Sequence, residues 1–197
     1  MIITDKDKLT EKCIDCESIE EGEEIAVKLL DELKESKGGI GLAANQIGIN
    51  KRVCVVNVKE PIVLINPTIK NISSEMFAFM EGCLSFPGDA VRTMRYKKIE
   101  VKAENHKKVL KFKVPKDKNS KDFLLTSYEV ACVQHEIDHL DGITMFEREY
   151  KQQPYKRQIN KIGRNDKVVI KKGKETQTIK YKKFDKLSED GWSLVEV

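Results

Sequence analysis

The sequence predicts an α+β fold in which antiparallel sheets pack around a central helix bearing an HExxH motif, with an amphipathic helix towards the N-terminus. Three observations carry this reading. Residues 19–35, IEEGEEIAVKLLDELKE, place Ile25, Leu29, Leu30 and Leu33 at helical spacing. Between residues 51 and 114 the chain is mostly short β-branched and aromatic runs set off by turn residues. Residues 127–140, SYEVACVQHEIDHL, return to helical spacing, with Gly142 placed to end the helix.

The first helix has Ser18 available as N-cap and acidic residues in its first turn, where they complement the helix dipole. SKGGIGLAANQIGIN (36–50) then breaks it with four glycines, a backbone that can approach a ligand closely. Short strands are expected at KRVCVVNV (51–58), PIVLINPTI (61–69), EMFAFM (75–80), KKIEVKAEN (97–105) and KVLKFKV (108–114), with a hairpin turn at Asn105 and His106. PKDKNSKD (115–122) reads as a polar loop. Thr126 and Glu129 have capping-box spacing for the second helix, whose apolar Val130, Val133, Ile137 and Leu140 recur every three or four residues. That pattern predicts a helix buried in the core, with a polar stripe facing a site. Beyond it, residues 150–166 suggest a short helix interrupted at Pro154. A strand, a turn at Lys172 and Gly173, a second strand, a short helix through Phe184 and Leu187, and a last strand around Trp192 follow. Residues 1–150 are therefore expected to form the main domain, and 151–197 a basic extension with a short helix and a small β-rich appendage.

At 197 residues the chain can bury one good core with a small addition. Its composition, 40% hydrophobic and 35% charged, is that of a globular protein with a heavily solvated surface. No apolar run approaches the roughly 20 residues of a membrane span. The opening MIITDKDKLTEKC has neither a signal peptide's apolar core nor a transit peptide's bias, so a cytoplasmic location is expected. The five cysteines are an odd number and are read as thiols. CIDC at 13–16 has metal or redox spacing, but no second pair matches it, and a surface or partly buried pair is expected. Residues 151–197 hold 13 Lys/Arg against 6 Asp/Glu, a net +7, while the rest of the chain carries −3. Such a tail suits a polyanion such as RNA; lysines that are simply solvated explain it equally well.

The helix at 127–140 holds two of the three histidines. Residues four apart share a helix face, so His135 and His139 can aim two imidazoles at one point. Glu136 stands beside a ligand, in the general-base position of hydrolytic zinc sites. The competing reading is an exposed helix with idle histidines. Against it stand the apolar flanks, which call for burial, and the cost of burying unpaired polar groups, which a metal would remove. A catalytic metal needs a third protein ligand. His106 lies in what reads as an exposed turn, and the three-histidine spacing HExxHxxGxxH is not met. EGCLSFPG (81–88) offers Cys83, between a glycine and a turn at Pro87, where a thiolate can be presented at a strand end. Alone, Cys83 reads more readily as a small core residue. With two imidazoles it makes a soft donor set suited to iron(II), zinc, nickel or cobalt.

GIGLAANQ (39–46), EGCLS (81–85) and QHEIDHLDG (134–142), in this order and spacing, resemble the three signature motifs of peptide deformylases. These enzymes remove the N-terminal formyl group from newly made bacterial-type proteins. The resemblance covers roughly residues 1–150 and implies a catalytic domain there. It implies Cys83, His135 and His139 as metal ligands, Glu136 as acid/base, and Gln46 and the Leu84 N–H as donors to the oxyanion. Ile40 and Gly41 are implied as partners of the substrate main chain, with Gly82 beside the substrate. Family members commonly use Fe2+, one ion per chain, and are often isolated with Zn2+, Ni2+ or Co2+. Helical spacing places Tyr128, Ala131 and Cys132 on the face of His135, and with Phe79 they are candidate walls for a methionine side chain.

Formyl-methionyl nascent peptides are the implied partners; neither DNA nor a membrane is expected. Family members usually end in a helix, which in some contacts the ribosome. The lysine-rich end here is unlike it, although its charge would suit ribosomal RNA. Two other classes remain to be separated from the deformylase: an HExxH metallopeptidase cutting internal bonds, and an inactive metal- or peptide-binding module. The presence of both Glu136 and Gln46 argues against the module.

Overall fold

A computed structural model describes residues 1–150 and 164–195. The chain divides into two compact units, Met1–Tyr150 and Lys151–Val197.

The first unit is built on a strand buried from both sides. Strand β2 (Val53–Asn57) lies between β1 (Gly41–Ala43) and β3 (Pro61–Ile65), all antiparallel. Because side chains alternate along a strand, Val53 and Val55 join one core cluster while Cys54 and Val56 join the other. On the first side packs α2 (Ile19–Glu35), through Ile25, Ala26, Leu29 and Leu33. Ser18 caps it by accepting from the Glu21 N–H at 3.2 Å. On the second side packs α3 (Phe123–Leu140), through Val130, Val133, Ile137 and Leu140, together with Ile99, Val101 and Phe112 of another sheet. Each Leu or Ile buried this completely contributes about 1.5–3 kcal/mol.

That other sheet has the order β4 (Thr68–Ile72), β7 (Lys98–Lys102), β8 (Leu110–Lys113). A separate ribbon pairs β5 (Met76–Cys83) with β6 (Phe86–Tyr96). Its register shifts at the closed end: Gly82 faces Ala90 but Cys83 faces Phe86. Such irregularities bend a strand and re-aim its side chains.

Several expectations are corrected. Residues 61–69 are two strands, not one. Asn66 adopts a left-handed φ of 48°, and its side chain bonds both the N–H and the C=O of Cys16, at 2.8 and 3.1 Å. Helix α3 starts at Phe123, one turn before the anticipated Thr126 cap, because Phe123 packs against the core. Strand β6 and a short helix α1 (Lys6–Leu9) were not anticipated. Cys13 and Cys16 are not a surface or half-buried pair. At 3% and 6% exposure they are core residues, lying in different clusters. All five cysteines are free thiols.

In the second unit β9 (Lys167–Lys172) pairs with β10 (Glu175–Lys180) and β11 (Ser193–Leu194). The turn is at Gly173 and Lys174, one residue later than read from sequence, because Gly173 takes the positive φ of 62°. Helix α4 (Phe184–Glu189) follows, with Phe184 stacked on Tyr181. The interrupted helix expected around Pro154 lies outside the described residues. No helix among them is long and apolar enough to cross a membrane.

Candidate metal centre

Helix α3 is buried on nearly every side from Val130 to Leu140, including Gln134, His135, Glu136, Asp138 and His139. Its polar residues therefore need partners, and Gln134, His135 and Asp138 find theirs on other elements. Gln134 bonds the backbone of Tyr96 on β6, through Oε1 to the N–H at 2.9 Å and Nε2 to the C=O at 3.0 Å. This docks the ribbon on the helix and brings its end, Cys83, to the histidines.

Cys83 Sγ lies 3.2 Å from His139 Nε2, which lies 3.2 Å from His135 Nε2. The three ligand atoms all lie within 4.8 Å of one another, the only such cluster among the described residues. His106 is not part of it. This residue is half-buried rather than exposed, with Nε2 2.9 Å from the Val63 carbonyl.

The donors fit a divalent cation. One sulfur and two imidazole nitrogens converge, a donor set that a single cation between them would satisfy. Burial opposes charge on His135, but hydrogen bonds with Cys83 and Glu81 outweigh it and raise it to about 10. Burial and the charge of His135 push His139 well down. His135 Nδ1 is held by Glu81 Oε2 at 2.9 Å, which leaves Nε2 for a metal. A thiolate with two imidazoles suits iron(II), zinc, nickel or cobalt.

Glu81 and its supports were missed from sequence as functional groups. Burial alone would raise Glu81, but Arg95 and His135 hold it down to about 2. Thr93 donates to Glu81 Oε1 at 2.6 Å, and Arg95 Nε and Nη2 reach its two oxygens at 2.5 and 2.8 Å. One signal was available: Glu81 and Cys83 are two apart on a strand, and so on one face.

A cavity of about 320 Å³ opens beside the donors. Of the residues singled out from sequence, His139 alone does not line it; this histidine lies behind, 1% exposed. Glu136 lines the cavity with Oε2 buried and lacking a partner among the described residues, and burial raises its carboxyl to about 7. Gln46 Oε1 accepts from the Ala43 N–H at 2.9 Å, which turns Nε2 towards Cys83 Sγ at 3.4 Å and Ser85 Oγ at 3.1 Å. Leu84 sits in the turn between β5 and β6.

Gly41 leaves room that a side chain would take, since a Cβ there would come within 3.0 Å of both the Glu136 carboxylate and Cys132 Sγ. Ile40, with its carbonyl accepting from the Asn57 N–H at 2.7 Å, is partly exposed at the rim. Phe79 and Tyr128 meet edge to face at 4.9 Å and line the cavity with Ala131, Cys132 and Gly82.

The chain matches the model of the polypeptide deformylase family over residues 1–155. A peptide deformylase of Prochlorococcus marinus (strain AS9601) is 36% identical over 152 residues, covering 74% of this chain and 70% of that protein. One from Natranaerobius thermophilus is 42% identical over 131 residues, 64% of this chain and 75% of its own. The crystal structure of peptide deformylase from Thermotoga maritima is similar with a TM-score of 0.63 at 28% identity, covering 77% of this chain and 97% of that one.

Proposed function

The chain belongs to the polypeptide deformylase family, and from that premise we propose that the cavity beside Cys83, His135 and His139 is where the formyl group of a nascent peptide is removed. The enzyme is a metal-dependent hydrolase, and its products are formate and a free amino terminus. The observation that carries the assignment of the site is the approach of one thiol and two imidazoles to within 4.8 Å. We assign these three as ligands of one Fe2+ per chain, for which Zn2+, Ni2+ or Co2+ can substitute.

Bound there, the cation supplies Lewis acidity, which brings the pKa of a bound water from ~15.7 towards ~7. The chain's own residues do the rest. Glu136, raised to about 7, can accept a proton from the attacking water and return it to the leaving amine near neutral pH. Gln46 Nε2, oriented through its own carbonyl, and the Leu84 N–H donate to the oxyanion of the tetrahedral intermediate. β1 is an edge strand, so Ile40 and Gly41 can pair with an extended peptide and read its main chain rather than its sequence. Phe79, Tyr128, Ala131 and Cys132 take the unbranched methionine side chain, with Gly82 beside the substrate. The work is assigned to the cytoplasm, on formyl-methionyl nascent chains. The net charge of +7 on residues 151–197 supports contact with ribosomal RNA.

Formate release from formyl-Met-Ala-Ser, by protein reconstituted anaerobically with iron(II), tests the assignment, with casein cleavage measured beside it. Formate without casein fragments is expected, and Cys83→Ser should abolish it. Casein cleavage that survives Cys83→Ser would mark an endopeptidase with another third ligand, and metal binding without either activity would mark a binding module.

A further inference from the structure

Arg148 touches none of the three donors, yet it ends a chain of alternating charges that reaches one of them. Its guanidinium holds Asp138 with two arms, Nε to Oδ2 at 3.0 Å and Nη2 to Oδ1 at 2.7 Å. Asp138 Oδ2 also accepts from Arg95 Nη1. Arg95 grips both oxygens of Glu81, and Glu81 Oε2 meets His135 Nδ1.

We propose that Arg148 is a positioning residue for the metal centre, fixing the ring orientation and tautomer of His135 through Asp138, Arg95 and Glu81. The proposal rests on the reading of Cys83, His135 and His139 as metal ligands.

Arg95 is shared between two carboxylates, and its planar fork fits Glu81 only in one orientation. Asp138 sets that orientation through Nη1. The plane of the Asp138 carboxylate is set in turn by the two-armed grip of Arg148, which satisfies both its oxygens. Without Arg148, Asp138 is free to rotate towards the surface. Arg95 then loses its second anchor, and Glu81 no longer holds Nδ1–H in one place.

Arg148 is itself well anchored. It closes the 3-10 turn Met145–Arg148, which begins after the short link 141–144 from α3; Met145 is buried there, and the Glu147 carboxylate accepts from the Thr144 N–H at 2.8 Å.

The side chain of Arg148 is 42% exposed, and an ion pair with one partner this open to solvent ordinarily contributes little to stability by itself. A merely structural role therefore predicts little effect anywhere. Lys97–Glu75, at 2.9 Å, is a pair of that kind: both partners are exposed and neither bonds to Glu81, Arg95 or Asp138.

The test compares wild type with Arg148→Met, Arg148→Lys and the control Lys97→Met. Each is loaded with cobalt(II), and three quantities are read: the visible absorption of the bound ion, its rate of loss to a chelator, and Tm without metal. Arg148→Met should lose cobalt on the order of 10-fold faster, the lower end of what removing groups behind a ligand costs, with shifted absorption bands. Arg148→Lys should fall between, since an ammonium cannot hold both oxygens of Asp138 in plane. Lys97→Met should match wild type. An unchanged spectrum and loss rate in Arg148→Met, whatever its Tm, would overturn the proposal. Should that variant fail to fold, Arg148→Lys decides in the same way. If wild type itself binds no cobalt, the ligand assignment fails and the inference falls with it.

Discussion

Gln46 presents its amide nitrogen to Cys83 at 3.4 Å because the opposite end of the amide is fixed by the Ala43 N–H, three residues back in its own turn. The glutamine is thereby a preset donor that needs no rearrangement as negative charge develops beside it. Gln46→Leu should lower kcat for formate release by ~10²–10³-fold while cobalt(II) binding persists. A variant with wild-type kcat would remove Gln46 from the oxyanion site.

Glu136 is buried and carries an oxygen without a hydrogen-bond partner among the described residues. Glu136→Gln preserves its shape and removes its proton exchange. Metal content measured after dialysis should stay at wild-type level, while kcat falls by ~10²–10⁴-fold. Loss of the metal instead would assign Glu136 to coordination.

Gly41 is required by space. The Cβ of Gly41→Ala would meet the side chains of Glu136 and Cys132, which project from helix α3, so either these side chains or strand β1 must shift. Overpacking of this kind costs about 1–3 kcal/mol, seen as a lower denaturation midpoint. Displacement of the Glu136 carboxylate should lower kcat/KM by up to ~10²-fold. Unchanged kinetics would mean that the strand gives way and the carboxylate does not.

Glu81 sets an acid limit on stability. Its carboxyl, ordinarily near 4.5, is held down to about 2 in the folded protein, so folding favours the ionised form. The stability it contributes is complete above about pH 4.5 and is lost as pH falls through that range towards 2. Urea midpoints at pH 6, 4 and 3 should decline more steeply for wild type than for Glu81→Gln. Parallel declines would show that Glu81 titrates alike in both states.

What could be read from the sequence was whatever repeats locally. The helical spacing of Ile25, Leu29 and Leu33 needs no knowledge of the rest of the chain, and neither does the four-residue step from His135 to His139. That Cys83 meets these histidines was expected only through the likeness of EGCLS to a known motif; its strand-end position by itself reads more readily as core packing. Strand β6 escaped notice because Pro87 reads as a turn residue, whereas residues 87–89 lie in the register shift where Cys83 faces Phe86 and Gly82 faces Ala90, and the strand continues beyond it. The α3 start was misplaced because the capping pattern at Thr126 is local and the burial of Phe123 is not. Arg95 gave no signal at all: its partners lie 14 and 43 residues away, on a neighbouring strand and on a helix.

The ribbon of β5 and β6 joins no third strand among the described residues beyond a single bridge between Thr93 and Glu149. Two strands alone are marginal in water, so the ribbon depends on its seat against α3. Much of that seat consists of ionised side chains out of reach of solvent, an arrangement that well-packed aliphatic residues commonly equal or surpass in strength. A version of the protein refilled with leucine and methionine at 81, 95 and 138 would therefore tend to outlast the natural one on heating while losing its grip on the His135 ring. Durability and turnover compete for the same few positions, and selection for heat tolerance alone would erode the catalyst.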